Sequence, residues 1–178
     1  MLELIRSCKK CKICENQIPL VYGVKSAEVF WVGLSAKKLM YEGEKPISPK
    51  TNSGALISKV EENIKNISTY RTNLVKCVPL DNNGKLRYPN KKEMDTCMAN
   101  FEIEIKVIKP KTIFLLGTQV RDTISRSFSL KFPAIEEFNY QSIEYRTMNF
   151  IAIHHPSYVY IYKRKQINNY MEGILKCL

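Results

Sequence analysis

The 178-residue sequence holds no apolar run long enough to span a bilayer; its longest runs, such as Ile113 to Leu116, have the length of a strand. Nor does the amino terminus, Met1-Leu2-Glu3-Leu4-Ile5-Arg6, carry the extended apolar stretch of a secretory leader. These absences exclude a helical membrane protein and set the expectation of a soluble, cytoplasmic chain with no membrane partner. Internal repeats and low-complexity tracts are also missing, and 44% hydrophobic with 25% charged residues suits one domain over residues 1–178, acting as a monomer. Negative charge is scarce: 17 Asp and Glu stand against 28 Lys and Arg, a formal charge of +11. The excess favours an anionic partner, nucleic acid foremost, although a lysine-rich proteome would leave the same mark.

What is present is an alternation of strand-like and helix-like segments. Glu28 to Gly33 reads as a buried strand ending on glycine, and Gly54 to Asn66 follows with apolar side chains at 56, 57, 60, 64 and 67, a helical period. Thr69 to Val75 is the next strand, and Asn82-Asn83-Gly84 with Pro89 marks Asp81 to Pro89 as a loop. Asn90 and Glu93 match a capping box, which starts a helix near 91 that Pro110 ends after Lys109. Thr112 to Gly117 and Asn149 to His154 are two more strands, and Lys165 to Cys177 is a last helix; Ser127 to Thr147 gives no assignment. Strands alternating with helices predict a mostly parallel, four-stranded sheet covered by helices. Sites in such sheets gather at the carboxyl ends of the strands, where Gly33, Asn73, Gly117 and His155 all fall.

Three constellations carry chemistry. Cys8-x-x-Cys11, Cys77 and Cys97 can supply four thiolates to one centre; free buried thiols, a zinc site and an iron–sulfur cluster all fit this spacing. An intracellular chain keeps its thiols reduced, so a disulfide framework is the poorer reading of the six cysteines. Asn73 ends a strand: its amide both donates and accepts, which suits the hydrogen-bonding edge of an extruded base, but asparagine there also forms turns. His154 and His155, the only histidines, precede Pro156-Ser157. A histidine at that place can stabilise developing negative charge, and the alternative is a solvent-facing pair with Ser157 as a helix cap. Tyr158, Tyr160 and Tyr162 beside Lys163, Arg164 and Lys165 fit a nucleic-acid surface or a solvated helix equally well.

In order, Cys8-x-x-Cys11-x-Ile13, the strand to Gly33, Thr72-Asn73-x-x-Lys76-Cys77-x-Pro79, Cys97, Pro110-Lys111 with Leu115-Leu116-Gly117, and His155-Pro156-Ser157 resemble the iron–sulfur uracil-DNA glycosylases, families 4 and 5. The resemblance spans nearly the whole chain. It implies a three-layer α/β/α sandwich and a [4Fe–4S] cluster held by Cys8, Cys11, Cys77 and Cys97. It also implies a DNA partner at the nucleoid and hydrolysis of an N-glycosidic bond that leaves an abasic site. By the same resemblance, Asn73 reads the base and His155 stabilises its departure, while Gly33, Leu34, Ser35, Pro49 and Ser157 line the substrate site. Cys14 is surplus, with Cys11-x-x-Cys14 repeating the ligand spacing, and Cys177 is a bystander.

The chain departs from the pattern in two places. Family 4 members usually show Gly-Glu-x-Pro-Gly after the first strand; here Gly33-Leu34-Ser35-Ala36-Lys37 lacks the acidic residue, leaving Glu42 or Glu44 as substitutes. Pro49 stands where the stacking Phe is usual, so either Tyr41 or Tyr22 supplies a ring or the pocket takes another base, such as a modified cytosine. A non-catalytic DNA-binding relative is the other reading of these losses.

Overall fold

A computed structural model describes residues 2–24 and 26–178; Met1, where the stretch read for a leader begins, lies outside them. Five strands among these residues form one sheet: β1 (Val29–Ser35), β2 (Thr69–Val75), β3 (Thr112–Leu116), β4 (Ser142–Tyr145) and β5 (Met148–Ile153), in the order β2-β1-β3-β5-β4. Four run parallel, and β4 pairs antiparallel with β5 at the edge. The sheet therefore has one strand more than expected. β4 lies in the tract without an assignment, and its residues alternate between exposed and half-buried. It lacks the continuous apolar run that marks a strand covered on both faces.

Among the described residues six helices, α1 (Leu2–Arg6), α2 (Asn52–Glu62), α3 (Lys91–Ile108), α4 (Thr118–Phe128), α5 (Pro156–Tyr162) and α6 (Ile167–Leu175), accompany the sheet. Alternate residues of β1 feed two cores. Phe30 and Val32 pack with Phe101 of α3 and Ile124 of α4, whereas Val29 and Trp31 pack with Ile57 of α2, Val159 of α5 and Ile174 of α6. Helices on both faces make the three expected layers. Trp31 stacks on Phe114 at 4.5 Å, and burying each such ring stabilises the fold by about 1.5–3 kcal/mol.

Local chemistry sets the helix ends. Thr51 caps α2 by accepting from the Gly54 amide at 3.1 Å, and Asn90 with Glu93 forms the predicted capping box on α3. The helix read to Asn66 stops at Glu62, because Asn63 begins a turn in which the Ile67 amide bonds the Ile64 carbonyl at 2.9 Å. The last helix is split, with a 3₁₀ turn at Arg164–Gln166 before α6. β2 lies on one side of β1 and β3 on the other, so the crossovers diverge there and open a crevice at the strand ends.

Candidate active site

A cavity of about 940 Å³ occupies that crevice, with Gly33, Leu34, Ser35, Asn73, His155 and Ser157 in its wall. Gly33 is paired in register with Asn73, and a Cβ on Gly33 would come within 2.4 Å of Asn73 Oδ1. Only glycine leaves room for the amide, which is nearly buried. Across the sheet, Gly117 at φ +93° would place a Cβ 3.1 Å from that of His155, so two glycines seat the two polar groups.

His155 is the N-cap of α5, and its Nδ1 accepts from the Ser157 amide at 3.2 Å. In the neutral ring this bond leaves the proton on Nε2, making that nitrogen a donor. Burial pushes the His155 pKa below its ordinary value, so the ring is neutral at physiological pH. His154 faces elsewhere, with Nδ1 3.1 Å from the Tyr140 hydroxyl and its ring stacked on Tyr158. The Ser157 hydroxyl lies 2.6 Å from that of Ser53, tying α5 to the first turn of α2.

The loop from Ala36 to Thr51 supplies the opposite wall through Lys37, Leu39, Glu44, Pro46, Ile47 and Ser48. Pro49 is exposed and outside the wall. Tyr22 and Tyr41 are outside it too, each under a lysine ammonium, Lys45 at 4.2 Å and Lys50 at 4.1 Å from the ring centres. The rings that do line the cavity are Tyr88, Tyr158 and Tyr162. Arg71 fixes the loop by donating to the Ile47 carbonyl at 2.9 Å while paired with Glu61. Ile47 adopts φ +50°, a strained conformation for a β-branched residue that these contacts hold in place.

Of the two loop carboxylates, Glu42 is exposed and Glu44 is 3% exposed. Glu44 Oε2 accepts from the Met40 amide at 2.8 Å, and Oε1 lies 2.9 Å from Lys37 Nζ. The Lys37 contact is an ion pair, and Oε1 is itself closed off from solvent. The Met40 amide first, then Lys37 and Ser48, hold the Glu44 carboxyl below the usual range against the opposing effect of burial.

Behind Asn73 lies a fully buried ion pair that the sequence motif did not announce. Lys76 Nζ donates to Glu104, to the Thr72 hydroxyl at 2.8 Å and to the Asn73 carbonyl at 2.5 Å. The hydroxyls of Tyr70 and Thr72 each donate to Glu104 at 2.8 Å, completing the carboxylate's partners. The next residue, Cys77, enters a thiol patch. Cys77 and Cys97 are buried with Ile13 and Val75, and Cys11 and Cys14 pack against them. Asn100 Nδ2 donates to Cys8 Sγ at 3.4 Å and approaches Cys97 Sγ at 3.9 Å.

Burial first, and then the nearby Cys97, Cys11, Cys14 and Cys8, push the Cys77 thiol up to about 12. Five sulfurs thus share one neighbourhood beside a hollow of about 570 Å³ lined by Cys8, Cys11 and Cys14. Among the described residues no three His, Cys, Asp or Glu side chains converge on a point suited to one metal ion. A cluster, whose thiolates sit on separate irons, asks for the wider spacing, and soft donors with amide hydrogen bonds to sulfur suit it. Cys177 is elsewhere, bonded to the Tyr140 and Gly173 carbonyls.

Layers, strand-end pocket and thiol patch together define a class: an α/β/α protein that presents an amide and an imidazole into a crevice at a switch in strand order. A family model described as Uracil DNA glycosylase superfamily matches residues 21–178, and the chain belongs to that superfamily. It is 27% identical to a type-4 uracil-DNA glycosylase of Sulfurisphaera tokodaii over 93% of this chain and 68% of that one. A type-4 uracil-DNA glycosylase of Pyrobaculum aerophilum is 29% identical over 65% of this chain and 58% of its own length. In fold the chain is similar to SMUG2 of Pedobacter heparinus, with a TM-score of 0.58 at 13% identity, over 85% of this chain and 74% of that one.

Proposed function

We propose that this chain is a monofunctional DNA glycosylase that takes a uracil or another damaged or modified base into the cavity and hydrolyses its N-glycosidic bond, leaving an abasic site. The observation that carries the reading is the placing of the Asn73 amide and the His155 ring in one wall, each seated by a glycine. Asn73 would meet both a ring N–H and a neighbouring carbonyl of the flipped base. The neutral His155, with Nε2–H as donor, would stabilise negative charge on a base carbonyl oxygen as the C1′–N bond breaks. Tyr88, Tyr158 and Tyr162 offer rings for stacking, and Ser157 would meet the DNA backbone.

Cys8, Cys11, Cys77 and Cys97 would hold a [4Fe–4S] cluster, with Cys14 as a fifth thiol beside them. When bound, the cluster supplies a cross-link between the amino-terminal segment, the end of β2 and α3. The surplus of positive charge would hold DNA, and the protein would work as a cytoplasmic monomer at the nucleoid. Cluster-loaded protein is to be assayed on duplex and single-stranded oligonucleotides bearing uracil, hypoxanthine, xanthine or a modified cytosine. Abasic product from at least one base is expected; none from the whole panel overturns the reading.

A further inference from the structure

Side chains that line the cavity and yet stay exposed mark its rim. The large apolar ones come from α5, which follows β5, and from the loop after β2, with β1 and β3 between the two strands. In that loop Leu86 is 58% and Tyr88 74% exposed, and neither joins an apolar core. Resting on the glycosylase reading above, we propose that residues 79–88 form a rigid wedge that holds the target nucleotide outside a DNA duplex, with Leu86 filling the gap left in the base stack.

The loop is a short hairpin whose backbone is held at several points. Leu80 and Leu86 form a β-bridge, the Asp81 amide donates to the Lys85 carbonyl at 2.9 Å, and the Arg87 amide donates to the Pro79 carbonyl at 3.1 Å. Asp81 Oδ1 accepts from the amides of Asn83 and Lys85, each at 2.9 Å. The Arg87 guanidinium fastens the hairpin to α3 through both oxygens of Glu93, at 2.8 and 2.6 Å. Lys38 ties the tip to the facing loop by donating to the Gly84 carbonyl at 3.0 Å. A leucine held out on a fixed backbone gains nothing from burial until another surface covers it, and a preformed shape lowers the ordering cost when one does.

DNA fits as that surface. Leu86 lines the same cavity as Asn73 and His155, so a base delivered to those groups leaves its vacated place in the stack near the rim. Extruding a base opens an unstacked gap, and apolar side chains entering between base steps keep such gaps open. The charges agree. The carboxylates of the hairpin and its anchor are taken up, Asp81 by amides and Glu93 by Arg87, which leaves the exposed Lys85 and Lys38 to meet phosphates.

Single-turnover excision of one base from duplex and from single-stranded DNA separates this role from a structural one, since a single strand has no stack to hold open. Leu86→Ala is expected to slow duplex excision roughly ten- to fiftyfold, through loss of the apolar carbons beyond Cβ, and to leave the single-strand rate and the melting temperature at the wild-type level. Leu86→Met, apolar and of like volume, should keep most of the duplex rate. Leu178→Ala, which alters an exposed leucine outside the cavity, should cleave both substrates as the wild type does. A second measurement needs no turnover: the fluorescence of 2-aminopurine placed beside a tetrahydrofuran site in duplex DNA. Saturating wild type should change that signal by entering the gap, and Leu86→Ala should change it much less. Wild-type turnover with Leu86→Ala unimpaired on duplex, or slowed equally on both substrates, overturns the wedge alone, as does a fluorescence change that survives the loss of Leu86. Absence of turnover by the wild type on every base removes the glycosylase reading and the wedge with it.

Discussion

At the residue scale the site depends on what its glycines omit. A methyl group on Gly33 would sit 2.4 Å from Asn73 Oδ1, so Gly33→Ala must turn the amide away from the cavity. A displacement of about 1 Å in a positioning group costs on the order of a hundredfold in rate. Gly33→Ala is therefore expected to lower excision about a hundredfold in single-turnover assays while shifting the melting temperature by only a few degrees. His155 makes a pH prediction. Its pKa is lowered by burial, so in acid the unfolded chain takes up the proton before the folded one does. Stability is thus complete above the usual histidine pKa of about 6.5 and is lost as pH falls below it. Melting temperatures between pH 7.5 and 5.5 should fall less steeply in His155→Asn than in wild type, and equal slopes would overturn this assignment. The remaining slope belongs to His154, whose pKa burial also lowers. That Asn73 and His155 fall near the carboxyl ends of strands was legible in the sequence, from the segments Thr69 to Val75 and Asn149 to His154. Glu44 stayed one of two alternatives, since nothing in Tyr41-Glu42-Gly43-Glu44 tells which carboxylate the loop buries.

At the element scale, a buried ion pair ties the end of β2 to α3 between the Asn73 amide and the thiol patch. Lys76 and Glu104 are both fully buried, and Lys76 also donates to the Asn73 carbonyl. Removing one partner of such a pair leaves an uncompensated charge and costs about 3–5 kcal/mol, whereas replacing both with apolar side chains is often close to neutral. Lys76→Met should therefore lower stability by about that amount in chemical denaturation, and Lys76→Met with Glu104→Leu should recover most of it. If the pair also steadies Asn73, the stable double variant will still excise more slowly than wild type; full activity would make the pair structural only. Lys76 stood in view within Asn73-Leu74-Val75-Lys76-Cys77, but its partner lies 28 residues on, a distance that no local pattern spans. Elements with a local signal were read well: the capping box of α3 and the apolar runs of β1, β2, β3 and β5. Those made by tertiary pairing were not. β4 exists because β5 offers it a free edge, and its alternation of exposed and half-buried residues runs over only four positions, too short a stretch to mark a strand.

At the scale of the whole molecule, the charge of +11 and the thiol patch meet at the amino terminus. The hollow beside Cys8, Cys11 and Cys14 is rimmed by Arg6, Lys9, Lys10 and Lys12, so the residues that would hold a cluster alternate with those that would meet phosphate. This segment has little apolar anchorage besides Ile5 and Ile13. Four thiolates bonded to one cluster would fix the basic rim against β2 and α3, turning a loose cationic tail into part of a shaped DNA-binding face. Cys97→Ser cuts that link from the α3 side without touching any basic residue. The variant is expected to lose the brown colour of the cluster and to bind DNA more weakly. The salt dependence tells what was lost: the slope of log K against log salt shrinks by about 0.9 for each phosphate contact given up. If the rim works only when held, the slope in Cys97→Ser should flatten by one to a few such steps, and adding Lys9→Ala and Lys10→Ala should flatten it little further. In the cluster-loaded wild type the same two alanines should flatten the slope fully. Identical slopes for Cys97→Ser and wild type would show that the basic rim reaches DNA without the cross-link, leaving the cluster to stabilise the fold alone.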